Sequence, residues 1–464
     1  MRLTWAQPED LVPAEIAALR EQGADTAALE EIARRWADAG GATAPAPSGA
    51  SATPASPETR ALAREVLGDL ARLQRPSPEE PDEWDAIVAL LPEAPASARA
   101  VPAFDRVHGA WLGRAAGCLL GKPVEKIQRE GIEEIARATG NWPITGYFTA
   151  QGLPAGIAER WPWNRRSAPT SLVENIDGMP EDDDLNFPLL ALDLLERHGD
   201  ALTTDDVAEA WLASLPAGRV FTAERAAYRN ILDARPVPET ATHLNPFREW
   251  IGALIRADVH GWAHPGDVRA AARSAWIDAR LSHTRNGLYG EMWAAALCAG
   301  ALVASSADAV LDDADAVVPP ASRLAAAIAV GRSTGRALAA GELTTDSALD
   351  ALHAAFPGMH WVHTLNNAAL AACALQAHGD DFGRAIALAV AGGWDTDSVG
   401  ATVGSVVGGL IGAERLDPAW ISPLHDRVAT SLPAAGGADD GDRPGTRSLR
   451  ALAERTLRLA GGAA

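Results

Sequence analysis

Apolar residues recur at three- and four-residue intervals along most of the chain, the period of helices with one buried face. Over residues 3–38 the repeating positions are Leu11, Ile16, Leu19, Leu29 and Ile32, which predicts helix. Gly40 to Pro57 is a run of Gly, Ala, Pro, Ser and Thr and reads as a linker. A second helical piece over 58–75 is broken by Pro76 to Pro81, and Glu79, Glu80, Asp82 and Glu83 predict an exposed acidic turn. Pro92 to Pro102 reads as another linker. Residues 1–100 are therefore expected to form a helical N-terminal appendage with Ala/Pro/Ser linkers and no chemistry of its own. From Phe104 helical patterning runs to about residue 432, so 101–432 is the main domain. The exception is 140–181, a long stretch without periodicity that reads as an active-site lid. Residues 433–464 are expected to be a flexible Gly/Asp-rich tail with one short helix. No alternation persists long enough for a sheet, and no repeat of 20–50 residues is seen. The fold class is all-α.

Composition agrees. The 464 residues are 47% hydrophobic, with only three Tyr and seven Phe to favour strands. Alanine runs, such as Leu324-Ala325-Ala326-Ala327, favour helix. A formal charge of −21 argues against nucleic acid or an anionic membrane as partner. Val399 to Ala413, the longest apolar stretch, is glycine-broken and too short to span a bilayer. Cys118, Cys298 and Cys373 have no paired spacing, and no apolar segment follows the N-terminal Met-Arg-Leu-Thr-Trp. These features read as reduced thiols in a cytoplasmic protein without a secretory signal. Lys122 and Lys126 are the only lysines; every other cation is Arg.

Two acidic clusters carry the candidate chemistry. Asp182-Asp183-Asp184 follows Gly178-Met179-Pro180, and Asp395-Thr396-Asp397-Ser398 follows Gly392-Gly393-Trp394. Each opens a helical run. Carboxylates this close repel one another unless a cation shares them, which points to a hard divalent metal if the fold brings the clusters together. Glu181 is an alternative first member of its cluster. Asp205-Asp206, Asp312-Asp313 and Asp380-Asp381 read as helix caps instead. Glycines fall at every fourth position in Gly109, Gly113, Gly117, Gly121 and in Gly400, Gly404, Gly408, Gly412. Glycine inside a helix costs about 1 kcal/mol against alanine, so two bare stripes predict two helices packed at very short range.

The segment from Gly109 through Glu125, the Asp182–Asp184 cluster and Gly-Gly-Trp-Asp-Thr-Asp-Ser-Val-Gly-Ala resemble the three signatures of ADP-ribosylglycohydrolases, over about 105–430. That resemblance implies a compact, orthogonal all-α bundle with two Mg²⁺ or Mn²⁺ ions in a central cleft. It implies hydrolysis of a ribosyl N- or O-glycosidic bond, in ADP-ribosylated protein or a small ADP-ribose derivative. Asp395, Asp397 and Ser398 match one metal motif. Asp182, Asp183 and Asp184 stand where the family usually has Thr-Asp-Asp. Glu125 matches the acidic residue after the first glycine helix, whereas Cys118 departs from an acid often found there. The expected metal ligands are thus Asp182, Asp183, Asp184, Asp395, Asp397 and Ser398, with Glu125, Asp183 or Asp184 as general base. Trp394, His283, His363 and Asn367 are candidates for substrate contact, though each reads as well as a structural residue. Alternatives are an N-glycosidase of a nucleoside-like metabolite and a non-catalytic binding relative that kept the fold.

Overall fold

The computed structural model describes residues 3–93, 100–433 and 441–462. At its centre the helix Phe104–Gly121 lies antiparallel to the helix Thr396–Ile411. The bare stripes face each other in register. A Cβ at Gly109 would collide with the Gly408 carbonyl, at Gly113 with Gly404, and at Gly117 with Gly400. Gly121 meets Thr396, and the Thr396 hydroxyl donates to the Gly121 carbonyl at 2.9 Å. The pairing thus ends with the C-terminus of one helix beside the Asp395–Ser398 motif of the other. Gly412 still backs onto Gly109 but lies beyond the helix, which stops at Ile411; Gly412 ends it with φ of 85°. Left-handed backbone at a helix end favours glycine.

Other helices wrap this pair and share one apolar core with it. Arg323–Ala339 approaches Thr364–His378 closely, because Gly331 and Gly335 face the Ala369 and Cys373 carbonyls. The last helix, Leu449–Leu459, packs on Phe104–Gly121, where Trp111 Nε1 donates to Thr456 Oγ1 at 3.0 Å. The short helix expected in the tail is Leu449–Leu459, and residues 434–440 lie outside the described residues.

A small sheet escaped the sequence reading. Arg427–Ala429 pairs antiparallel with Thr446–Ser448. Three residues per strand are too few for any alternation to register. Met179 joins the ladder: its N–H donates to the Arg427 carbonyl at 2.9 Å and its carbonyl accepts from Ala429 at 2.8 Å. The chain just before the first acidic cluster is anchored by these bonds.

Residues 3–93 dock firmly on the rest of the fold. They form helices Pro8–Glu21, Thr26–Asp38, Pro57–Ala71 and Trp84–Leu90. Trp5 packs edge-on against Phe247 and Trp250, and Glu15 pairs with Arg248 at 2.8 Å. Of the acidic turn expected to be exposed, Glu79 and Glu83 are exposed, whereas Glu80 is buried and Asp82 half-buried. Glu80 pairs with Arg323 at 2.7 Å, and Asp82 accepts the Arg285 N–H at 2.7 Å. Partners from distant helices, invisible in local sequence, compensate these carboxylates. Of the acidic pairs read as caps, Asp381 caps Phe382–Ala391, and Asp206 completes a capping box with Thr203. Asp312 and Asp313 instead lie inside Ala307–Asp315, whose cap is Ser306.

Candidate active site

Asp182 caps the helix Asp183–His198 by accepting the Asp184 N–H at 3.0 Å, so three consecutive carboxylates are fanned around one helix N-terminus. The opposing wall is the first turn of Thr396–Ile411. Ser398 Oγ donates to Asp184 Oδ2 at 3.2 Å, a contact that joins clusters 214 residues apart. Asp395, Asp397 and Ser398 are all buried. Glu181 points away: it accepts from Ser431 N at 3.0 Å and Asn186 Nδ2 at 3.0 Å and pairs with Arg219. The cluster therefore begins at Asp182.

Three cations serve these acids. Arg114 is wholly buried in the first glycine helix; its Nε donates to the Asp184 carbonyl at 2.7 Å, and Nη1 pairs with Asp258 at 2.7 Å. Lys122 Nζ pairs with Asp182. Lys126 pairs with Glu125 at 3.0 Å, and Asn164 Nδ2 donates to the same Glu125 carboxylate. Asn164 lies between the short helices Ala155–Arg160 and Ala168–Ser171, within the stretch 140–181 that was expected to lack periodic structure and that thereby touches the site. Arg114, Lys122, Asp258 and Asn164 were not among the expected site residues. Arg114 and Lys122 carry a sequence signal, as a lone Arg in an otherwise apolar glycine stripe and as one of the only two lysines, both near Glu125; Asp258 and Asn164 carry none.

The acids still outnumber the cations. Asp182, Asp183, Asp184, Asp395, Asp397, Glu125 and Asp258 face Arg114, Lys122 and Lys126. With all groups ionised, four negative charges remain, the charge of two divalent ions. The imbalance is felt by the acids. Burial, then Asp182 and Asp397, push the Asp183 carboxyl well up; burial and Asp182 do the same for Asp184. Burial followed by Asp397 raises Asp395. Asp397 is raised to about 7 by burial and the neighbouring Glu125 and Asp182. Asp182 goes the other way despite burial, because Lys122 stabilises its charge. Cys118 Sγ lies with oxygens of Asp182 and Asp184 inside 4.8 Å of one another. Burial and those acids hold it as a neutral thiol.

The family model described as ADP-ribosylglycohydrolase matches residues 99–462. The chain belongs to the ADP-ribosylglycohydrolase family. Membership implies glycosyl hydrolase activity on ADP-ribose-type substrates. A solved structure described as an "ADP-ribosylglycohydrolase-related protein complex" is similar at 21% identity and TM-score 0.43, over 77% of this chain and 98% of that one. None of the curated proteins compared with the chain matches it. Among the described residues no helix is long and apolar enough to cross a membrane.

The remaining candidates make hydrogen bonds and ring contacts within the fold. Asn367 Oδ1 accepts the Asp395 N–H at 3.1 Å, and its Nδ2 donates to the Trp361 and His363 carbonyls, each at 2.8 Å. It positions the second cluster. His363 caps Thr364–His378 and reaches Glu21 of the N-terminal segment at 3.2 Å. Trp394 is buried and stacks on His353 with ring centres 4.3 Å apart. His283 is buried beside Ser282 at 2.8 Å, among the partners of Arg256, and touches neither acidic cluster.

Proposed function

We propose that this protein is a divalent-metal-dependent hydrolase of a ribosyl N- or O-glycosidic bond, carried by ADP-ribosylated protein or a small ADP-ribose derivative. The observation that supports it most is the Ser398–Asp184 contact, because it makes one site of two distant motifs. The donor set suits Mg²⁺ or Mn²⁺: buried carboxylates and a hydroxyl, all hard oxygens, with a charge deficit matching two ions. Asp182, Asp183, Asp184, Asp395, Asp397 and Ser398 would hold them. Bound there, such ions supply Lewis acidity and neutralise charge.

The side chains divide the remaining work. Asp184 is already engaged by Arg114 and Ser398, so it serves to fix geometry. Asp183 and Glu125 are left to accept a proton from the attacking water and to stabilise positive charge developing at the anomeric carbon. Asn164 and Lys126 orient Glu125 for this.

Incubation with ADP-ribosylated protein and with simple ribosides, with and without Mg²⁺ or Mn²⁺, tests the reading. Release of ADP-ribose that stops on chelation and returns with manganese is expected. Cleavage of nucleoside-like ribosides alone would transfer the substrate to that class, and metal-replete protein inert on both would leave a non-catalytic relative.

A further inference from the structure

The side chains around Arg256 form a second buried polar cluster, built from other residues than the acidic site. His260 Nε2 lies 4.0 Å from Asp278 Oδ2 and 4.0 Å from Glu291 Oε1. The three side chains come from the separate helices Asp258–Trp262, Val268–Ala279 and Arg285–Ala301. They are 0%, 5% and 0% exposed. One donor atom of each lies within 4.8 Å of the others. His260 Nδ1 sits 2.7 Å from Ser274 Oγ, which fixes the ring and turns Nε2 toward the two acids.

Among the described residues no N–H or O–H donates to either Glu291 oxygen or pairs with His260 Nε2; what Glu291 faces is the Asp278 carboxyl, another acid. Buried polar atoms are almost always partnered, and three converging acceptors repel one another without a proton or cation among them. Among the described residues the guanidinium in contact is that of Arg256, and it is divided: Nη1 pairs with Glu224 at 2.7 Å, Nε with Asp278, and Glu291 is left at 3.6 Å. With Glu224, Asp278 and Glu291 all ionised, that one cation leaves two negative charges, the charge of one divalent ion; without one, burial and Asp278 push the Glu291 carboxyl well up.

We propose that His260, Asp278 and Glu291 bind one divalent transition-metal cation of the zinc type. One imidazole nitrogen with carboxylate oxygens is a zinc-class donor set, unlike the oxygen-only acidic site. Tetrahedral bonds of about 2.1 Å put ligands roughly 3.4 Å apart, so each side chain has only a few tenths of an ångström to travel. Ser274 on Nδ1 is the outer hydrogen bond that metal-bound histidines characteristically have. The ion's role is structural. It ties His260 to two long helices, and Asp258, two residues earlier, holds Arg114 against Asp184.

The test is elemental analysis of the full chain, purified without chelator from zinc-supplemented cells, as wild type and as Asp395→Asn/Asp397→Asn. The double variant removes ligands of the acidic site, so metal retained there reports the second cluster. About one equivalent of zinc is expected in both proteins, with loss of nearly all of it in Glu291→Gln. If Glu291→Gln does not fold, cobalt-loaded double variant decides: X-ray absorption should show one imidazole nitrogen among oxygens. Zinc at background in soluble protein, or a cobalt shell without nitrogen, would overturn the site and leave a proton or a water molecule holding the cluster together.

Discussion

Lys122 shows how one residue sets the local balance. Its ammonium is driven above its ordinary range, against burial, by Asp182. Removing one partner of a buried pair leaves a charge uncompensated, at a cost of about 3 kcal/mol. Lys122→Met should therefore destabilise the metal-free chain by roughly that amount in denaturant titrations, and added Mn²⁺ should recover most of it. Recovery by Mn²⁺ is the specific sign of shared carboxylates; a loss indifferent to metal would contradict it. Asp395→Asn and Asp397→Asn should each lower ADP-ribose release by at least about 100-fold with helical circular dichroism unchanged. At this scale the carboxylates were legible, because runs of acids opening helices are conspicuous in sequence. Which acid each cation serves was not, since Arg114 and Asp258 meet across 144 positions and only folding makes them partners. Asn367 was legible as a polar residue near the site but not as the acceptor of the Asp395 N–H.

Among whole elements, the paired glycine helices explain why the clusters meet. Their spacing was readable from sequence, since bare stripes imply close backbone approach. Which carbonyl each glycine meets depends on the antiparallel register, which sequence does not state. Alanine at Gly113 would collide with the Gly404 carbonyl, whereas at Gly68, in Pro57–Ala71, it would meet nothing within 4 Å. The same substitution should thus have opposite signs. Gly113→Ala should lose at least about 2 kcal/mol and impair activity by spreading the helices, whereas Gly68→Ala should gain up to about 1 kcal/mol. Thermal unfolding of the two variants distinguishes a packing stripe from a tolerated one. The β ladder through Met179 was out of reach for a different reason: its strands are too short to show a period.

Taken whole, the molecule is more integrated than a domain with an appendage. Glu249 is its junction, bonded to Arg323 at 2.7 Å, to Asn286 at 2.7 Å and to Gln22 of the N-terminal segment at 2.6 Å. Burial alone would raise its carboxyl, but the Arg323 charge and the hydrogen bonds bring it down to about 2 from 4.5. A depressed folded value means the junction stabilises the fold above about pH 4.5, and that contribution is lost as pH falls toward 2. Glu249→Gln should flatten the acid limb of the stability curve in that window and leave its shape near neutrality unchanged. Residues 99–464 alone would expose Phe247 and Trp250, and are expected to aggregate or to bind hydrophobic dyes. Sequence conveyed the helical class of the molecule but missed this docking, because a Pro/Ser-rich composition describes local chain stiffness and says nothing of distant partners.

The most direct measurement is anomalous diffraction from crystals grown or soaked with manganese. Two anomalous peaks are expected between the Asp182–Asp184 helix start and Asp395, Asp397 and Ser398, with carboxylate oxygens of both clusters bound to them. Manganese-saturated crystals without anomalous density between those clusters, or with ions held by one cluster alone, would contradict the shared centre.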